Sequence, residues 1–141
     1  MKQKFFVANK AIILNEKSEV LLIQENPEDP IRSHPGKWDV VGGRMEFGEK
    51  PLEALGREIQ EEIGIEVEVG QPIYVDDWRP QPIPDEQWQI VGIFYKCKPL
   101  SDKIVLSNEH MNYAWVALDD IGDYELIGEV KLAIQALKNL T

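Results

Sequence analysis

Residues 43 to 65 constrain this chain more than any other stretch. A glycine turn, an acidic loop and an amphipathic helix follow one another there. They read Gly43-Arg44-Met45-Glu46-Phe47-Gly48-Glu49, then Lys50 to Gly56, then Arg57-Glu58-Ile59-Gln60-Glu61-Glu62-Ile63-Gly64-Ile65. Pro51 suits the first helical position, where a missing N–H is harmless. Glu53 falls in the first turn, at the favourable end of the helix dipole. Gly64 can take the left-handed conformation that ends a helix. At ~100° per residue, Leu52, Leu55, Ile59 and Ile63 form an apolar stripe roughly 80° wide. Glu62, Glu58 and Glu61 fill an adjoining arc of about 100°.

Packing does not ask for three carboxylates beside a buried stripe. Like charges three and four residues apart repel, at about 0.2–0.5 kcal/mol per pair. A run of glutamates alone is the ordinary signature of a solvated helix face. A multivalent cation turns the same repulsion into a site, and carboxylate oxygens are the hard ligands that Mg²⁺ and Mn²⁺ favour.

The surroundings decide between the two. The stretch fits G-x5-E-x7-R-E-U-x-E-E-x-G-U, with U a bulky aliphatic, through Gly43, Glu49, Arg57, Glu58, Ile59, Glu61, Glu62, Gly64 and Ile65. This is the signature of the Nudix hydrolases, and the chain resembles that family, MutT-like members included. A pattern with this many fixed positions is far more specific than a short glycine motif. Relatives often carry proline before the glycine pair, where this chain has Val41.

The resemblance implies metal-dependent hydrolysis of a diphosphate linkage in a nucleotide. It implies Glu58, Glu61 and Glu62 as metal ligands, Glu49 as a further ligand or an orienting group, and the Gly43 carbonyl as an oxygen donor. Mg²⁺ or Mn²⁺ is the expected cofactor. Arg57 is expected to fix the rotamer of a neighbouring glutamate. Family members draw the general base from the helix or from a later loop, so Glu61 and Glu109 are both candidates. The most direct substrate is a nucleoside triphosphate or modified nucleotide. ADP-ribose or a nucleotide sugar is the alternative within the enzyme class, with Pro80 a weak pointer to the former. A non-catalytic nucleotide-sensing module is the alternative outside it, disfavoured because every carboxylate of the motif is present.

The remaining chain agrees with one α/β domain over residues 1–141. Residues 4 to 14 and 19 to 24 read as strands joined in a hairpin by Asn15-Glu16-Lys17-Ser18. Residues 25 to 37 carry three prolines and read as a loop lining the same cleft. Arg32 and His34 there, with Arg44, are candidates to meet substrate phosphates. Trp38 to Gly43 is a short strand. Residues 65 to 69 and 73 to 78 read as two strands separated by a turn at Gly70-Gln71-Pro72. Residues 87 to 98 form the longest strand expected, and 99 to 105 a loop with room for a short strand. Residues 113 to 118 read as another strand and Asp119-Asp120-Ile121 as a turn with a helical start. Residues 129 to 140 form an amphipathic helix. The pattern predicts a mixed sheet between two helical layers, and the Nudix fold is such an α/β/α sandwich.

Composition excludes several classes. The net charge of −10 disfavours a nucleic acid polymer as partner. No apolar run approaches a membrane span, and no cleavage site follows the first residues, so neither a membrane segment nor a signal peptide is expected. The lone Cys97 excludes an internal disulfide and fits the cytoplasm, and its place in a strand predicts an inert thiol. A small nucleotide is the expected partner, and a homodimer is left open. Phe6, Tyr74, Trp78, Trp88 and Tyr95 can either stack on a base or fill the core, whereas Trp38 and Trp115 read as core.

Overall fold

The computed structural model describes residues 1–28, 36–80 and 84–140. The first apolar run forms strand β1 (Lys2–Ile13) and the next forms β2 (Glu19–Glu25). Their central residues are nearly all apolar because both faces are covered. Ile12, Val20 and Leu22 belong to one core, and Ala11, Ile13, Leu21 and Ile23 to the other. Successive side chains point to opposite faces, so each strand serves two layers at once. Leu55, Ile59 and Ile63 of helix α1 (Pro51–Ile63) close the second core. Val130, Ile134 and Leu137 of helix α2 (Gly128–Asn139) close the first. The result is the α/β/α sandwich expected.

The strands between the helices divide into two sheets. The first has the order β4-β1-β6-β5, with β4 Val41–Arg44, β5 Val67–Trp78 and β6 Glu86–Pro99. It is mixed: β1 runs antiparallel to β4 and parallel to β6, and β6 runs antiparallel to β5. The second has the order β3-β2-β7, with β3 Trp38–Asp39 and β7 His110–Ala117, and is antiparallel throughout.

The expected hairpin between β1 and β2 is thereby reduced to one bridge, Leu14 to Val20. Asn15 accepts the backbone N–H groups of Lys17 and Glu19 on its side-chain oxygen, and this turn carries the chain from one sheet into the other. The expected turn at 70–72 is absent. β5 runs through it with two register irregularities against β6, so Gly70 and Pro72 mark bulges rather than a reversal. Residues 99 to 105 form no separate strand after Pro99. A 3₁₀ turn, Leu118–Asp123, stands where a helical start was expected.

Pro51 opens α1, and Gly64 ends it in the left-handed region with φ 67°. Leu52 is not part of the packed stripe: it is 56% exposed, while Ala54 and Glu62 are buried. The helix turns its glutamate flank, rather than Leu52, toward the strands. Trp38 and Trp115 are only partly buried, each packed against one of the cores. No helix among the described residues is long and apolar enough to cross a membrane.

Candidate active site

The site begins where β4 meets β1. Gly42 pairs with Lys10, and Gly43 with Asn9. Gly42 has φ 138°, and a Cβ there would lie 2.2 Å from the Asn9 carbonyl oxygen, so only glycine lets the strands close. Its N–H then points at α1 and donates to Glu62 Oε1 at 2.8 Å. At Gly43 a Cβ would lie 2.8 Å from the Glu58 carboxyl carbon. The glycine pair thus lets two glutamates, one helical turn apart, seat against strand backbone.

Arg57 gathers the rest. Its Nε and one terminal nitrogen donate to the two oxygens of Glu49 at 2.8 and 2.9 Å, a bidentate pair. Its other terminal nitrogen reaches Glu58 at 3.1 Å and Glu61 at 3.3 Å. Glu49 also accepts the Glu46 N–H at 2.7 Å, which closes the acidic loop. The hydrogen bond from Arg57, reinforced by that backbone donor, holds the Glu49 carboxyl down to about 2. The same contact raises Arg57 further above its ordinary value. Glu58 moves the other way, raised by burial against the partial relief Arg57 gives it. Arg57 therefore faces three carboxylates.

Glu62 lies deepest, at 6% exposure. Burial pushes its carboxyl up to about 8, although Lys10 and the Gly42 N–H both favour the charged form. Lys10, itself buried, donates to Asp39 Oδ2 at 3.0 Å. Burial disfavours its ammonium, but Asp39, Glu62 and Glu25 together outweigh that and raise its pKa. His110 Nε2 stands 3.9 Å from Glu62 Oε2, too far for a hydrogen bond.

The loop before β7 is tied to the end of α1. Val105 donates to the Ile63 carbonyl at 3.0 Å and Ser107 to the Glu62 carbonyl at 3.1 Å. This brings Glu109 to Glu62 across a long stretch of sequence. One ligand atom each from Glu62, Glu109 and His110 lie within 4.8 Å of one another.

The sequence candidates therefore divide into three groups. Glu49, Glu58 and Glu61 gather on Arg57, with Glu58 against Gly43, whereas Glu62 sits on the Gly42 N–H beside Glu109 and His110; among the described residues no other three acidic or imidazole side chains bring ligand atoms within 4.8 Å of one another. Arg44 follows Gly43 on β4 but sends its side chain over the rings of Phe6 and Trp88. Arg32 and His34 lie outside the described residues. An open groove of about 760 Å³ runs beside the cluster, lined by Phe6, Arg44, Phe47, Glu49 and Glu58 among others. Sequence reading missed Lys10, Asp39 and the nearness of His110 to Glu62. A lysine inside an apolar strand was the available signal for Lys10, and nothing local pointed to the others. Cys97 is buried, and that burial pushes its thiol up to about 12.

The residues present fit a divalent cation. Glu62, Glu109 and His110 offer two carboxylate oxygens and one imidazole nitrogen within 4.8 Å of one another. A cluster of this composition can hold a metal ion.

Comparisons with known proteins bear on the family and the fold. The NUDIX domain family profile matches residues 4–137. The chain is 33% identical over 98 residues to the nucleoside triphosphatase NudI of Escherichia coli K12, a match covering 65% of this chain and 70% of that protein. Its fold is similar to that of the MutT protein from Methanosarcina mazei Go1, with TM-score 0.82 and 25% identity over 99% of this chain and 97% of the other. The MutT NUDIX hydrolase from Burkholderia pseudomallei is also similar, with TM-score 0.77 and 26% identity over 95% and 98%. A profile that spans nearly the whole chain, on this fold and around these glutamates, places the protein in the Nudix family, as a hydrolase of phosphoanhydride bonds in nucleotides.

Proposed function

We propose that this hydrolase cleaves a nucleoside triphosphate, or a modified form of one, to a monophosphate and pyrophosphate. The observation that carries the reading is the carboxylate nest itself: Glu49, Glu58 and Glu61 gathered on Arg57, with Glu62 seated on the Gly42 N–H. The nucleoside triphosphatase among its relatives supports the substrate class.

In this reading Glu58, Glu61, Glu62 and the Gly43 carbonyl hold Mg²⁺ or Mn²⁺. When bound, such an ion would neutralise phosphate oxygens and lower the pKa of water. Glu49 acts through Arg57, which it orients with both oxygens, and Arg57 in turn sets the rotamers of Glu58 and Glu61. Glu109, carried to Glu62 by its loop, is the general base, with Glu61 the alternative. The base takes a proton from water, the water oxygen bonds to phosphorus, and the bridging P–O bond breaks toward pyrophosphate. Arg32, His34 and Arg44 remain candidates for the phosphates.

The same proposal takes residues 1–141 as one domain working in the cytoplasm on small nucleotides. The profile match supports the single domain, and the net charge of −10 supports a small rather than a polymeric nucleotide. Nucleotide hydrolysis assayed with Mg²⁺ or Mn²⁺, and again with chelator, tests the reading. Activity should vanish with chelator and return with either ion. Glu58→Gln should lower turnover by about 10²-fold or more while the melting temperature holds or rises. Unchanged turnover in that variant would remove Glu58 from the metal site, and a wild type that hydrolyses no nucleotide would favour the sensing module instead.

A further inference from the structure

Of the five aromatic side chains that the sequence singles out for stacking on a base, the structure commits three elsewhere. Tyr95 is buried, with its hydroxyl 3.2 Å from Asn9 Oδ1. Tyr74 donates to Asp76 at 2.8 Å and packs on Phe94. Trp78 lies across Gly92, where an added Cβ would meet its ring at 2.3 Å, and also packs on Phe94.

Phe6 and Trp88 remain. They stand on neighbouring strands β1 and β6, half-buried, with ring centroids 4.8 Å apart and planes inclined by 60°. Together they form a notch. The Trp88 rotamer is fixed, because its indole N–H donates to Glu86 at 2.8 Å and Glu86 pairs with Lys4 at 2.6 Å. The guanidinium carbon of Arg44 rests on both rings, 4.4 Å from the Phe6 centroid and 4.6 Å from that of Trp88. A flat, weakly hydrated group thus already fills the notch, which shows what shape it accepts.

The notch is close to the glutamates. Gly43 pairs with Asn9, and Phe6 lies three residues before Asn9 on the same strand. That is about 10 Å along β1, within reach of a nucleotide from base to phosphates. Phe6, Arg44, Glu49 and Glu58 line one groove, whose volume suits a small ligand. An exposed cation–π contact is weaker than stacking of a base on an aromatic ring, so a base can displace the guanidinium.

We propose that the notch between Phe6 and Trp88 is the stacking platform for the substrate's base, and that Arg44 leaves it for the phosphates when the base arrives. This assignment rests on the nucleotide reading above and adds the residues that grip the non-reacting end. It makes Phe6 and Trp88 base-contacting residues and Arg44 a ligand whose free position guards the platform.

The test compares binding of nucleoside triphosphates with binding of inorganic tripolyphosphate, by calorimetry with Mg²⁺, in the Glu58→Gln background so that turnover does not intervene. Phe6→Leu and Trp88→Leu keep apolar bulk and lose the ring. Each should weaken nucleotide binding roughly tenfold and leave tripolyphosphate binding unchanged, whereas Trp88→Phe should keep most of the affinity. In the otherwise unmodified protein, nucleotide should quench tryptophan fluorescence, and Trp88→Phe should lose most of that quench. This second readout holds if a leucine variant fails to fold. Equal weakening for both ligands, unchanged nucleotide binding, or no preference of the parent for any nucleotide over tripolyphosphate would overturn the proposal. A base-dependent preference in the Glu58→Gln background, together with a wild-type protein that hydrolyses nothing, would uphold the platform and remove the catalytic reading instead.

Discussion

Glu62 and Glu49 belong to the same motif but live in opposite surroundings. Glu62 is buried and its carboxyl sits near 8, above its ordinary 4.5. Between those values the folded protein holds a proton that the unfolded chain releases. The stability this contributes is complete below about 4.5 and is lost as pH rises through about 8. Metal-free Glu62→Gln should therefore melt higher than its parent at pH 9 and much like it at pH 4.5; parallel melting curves across that range would show that Glu62 is not held as described. Glu49 runs the other way. Its carboxyl near 2 means that its contribution is present above 4.5 and fades toward pH 2. Arg57 joins Glu49 to Glu58 and Glu61, and lysine cannot span all three. Arg57→Lys should lower turnover about 10- to 100-fold with little change in melting temperature, checked by steady-state kinetics beside thermal melting.

At the scale of elements, the glycine pair separates folding from function. Gly42 faces strand backbone, with φ 138° and the Asn9 carbonyl 2.2 Å from any Cβ. Gly42→Ala should break the β4–β1 pairing and cost more than about 2 kcal/mol in denaturant unfolding. Gly43 faces the end of the Glu58 side chain instead. Gly43→Ala should fold, displace that carboxylate and lose most activity; equal losses of stability in the two variants would contradict this. Helix α1 was legible in the sequence because Pro51, Gly64 and the spacing of Leu55, Ile59 and Ile63 are local facts. So were β6 and α2. The bulges of β5 were not, because Gly70 and Pro72 look like a turn until a long partner strand runs past them. The split of β1 and β2 between sheets was hidden for the same reason: sheet partners are chosen at long range. Lys10, Asp39 and His110 reach Glu62 from three separate strands, so no window of sequence contained the cluster that they make.

For the molecule as a whole, the two cores carry different duties. Ile59 packs under the glutamates of α1, and Ile134 packs under α2 on the opposite side. Truncating either to alanine should cost about 2–5 kcal/mol. Ile59→Ala should also lower turnover in molecules that remain folded, whereas Ile134→Ala should not. Activity per folded molecule, measured well below each melting point, separates the two. A matching loss in both would mean that the layers are coupled more tightly than their separate packing implies.

Strand β1 behaves like a ribbon printed on both sides, zipped to β4 in one direction and to β6 in the other. Sliding it by a single residue would send Ile12 to the wrong layer and would also strand Lys10 away from Asp39. No half-correct alignment keeps either layer intact, so the native register has no close competitor. Errors in assembling this molecule should leave it visibly unfolded rather than subtly misaligned.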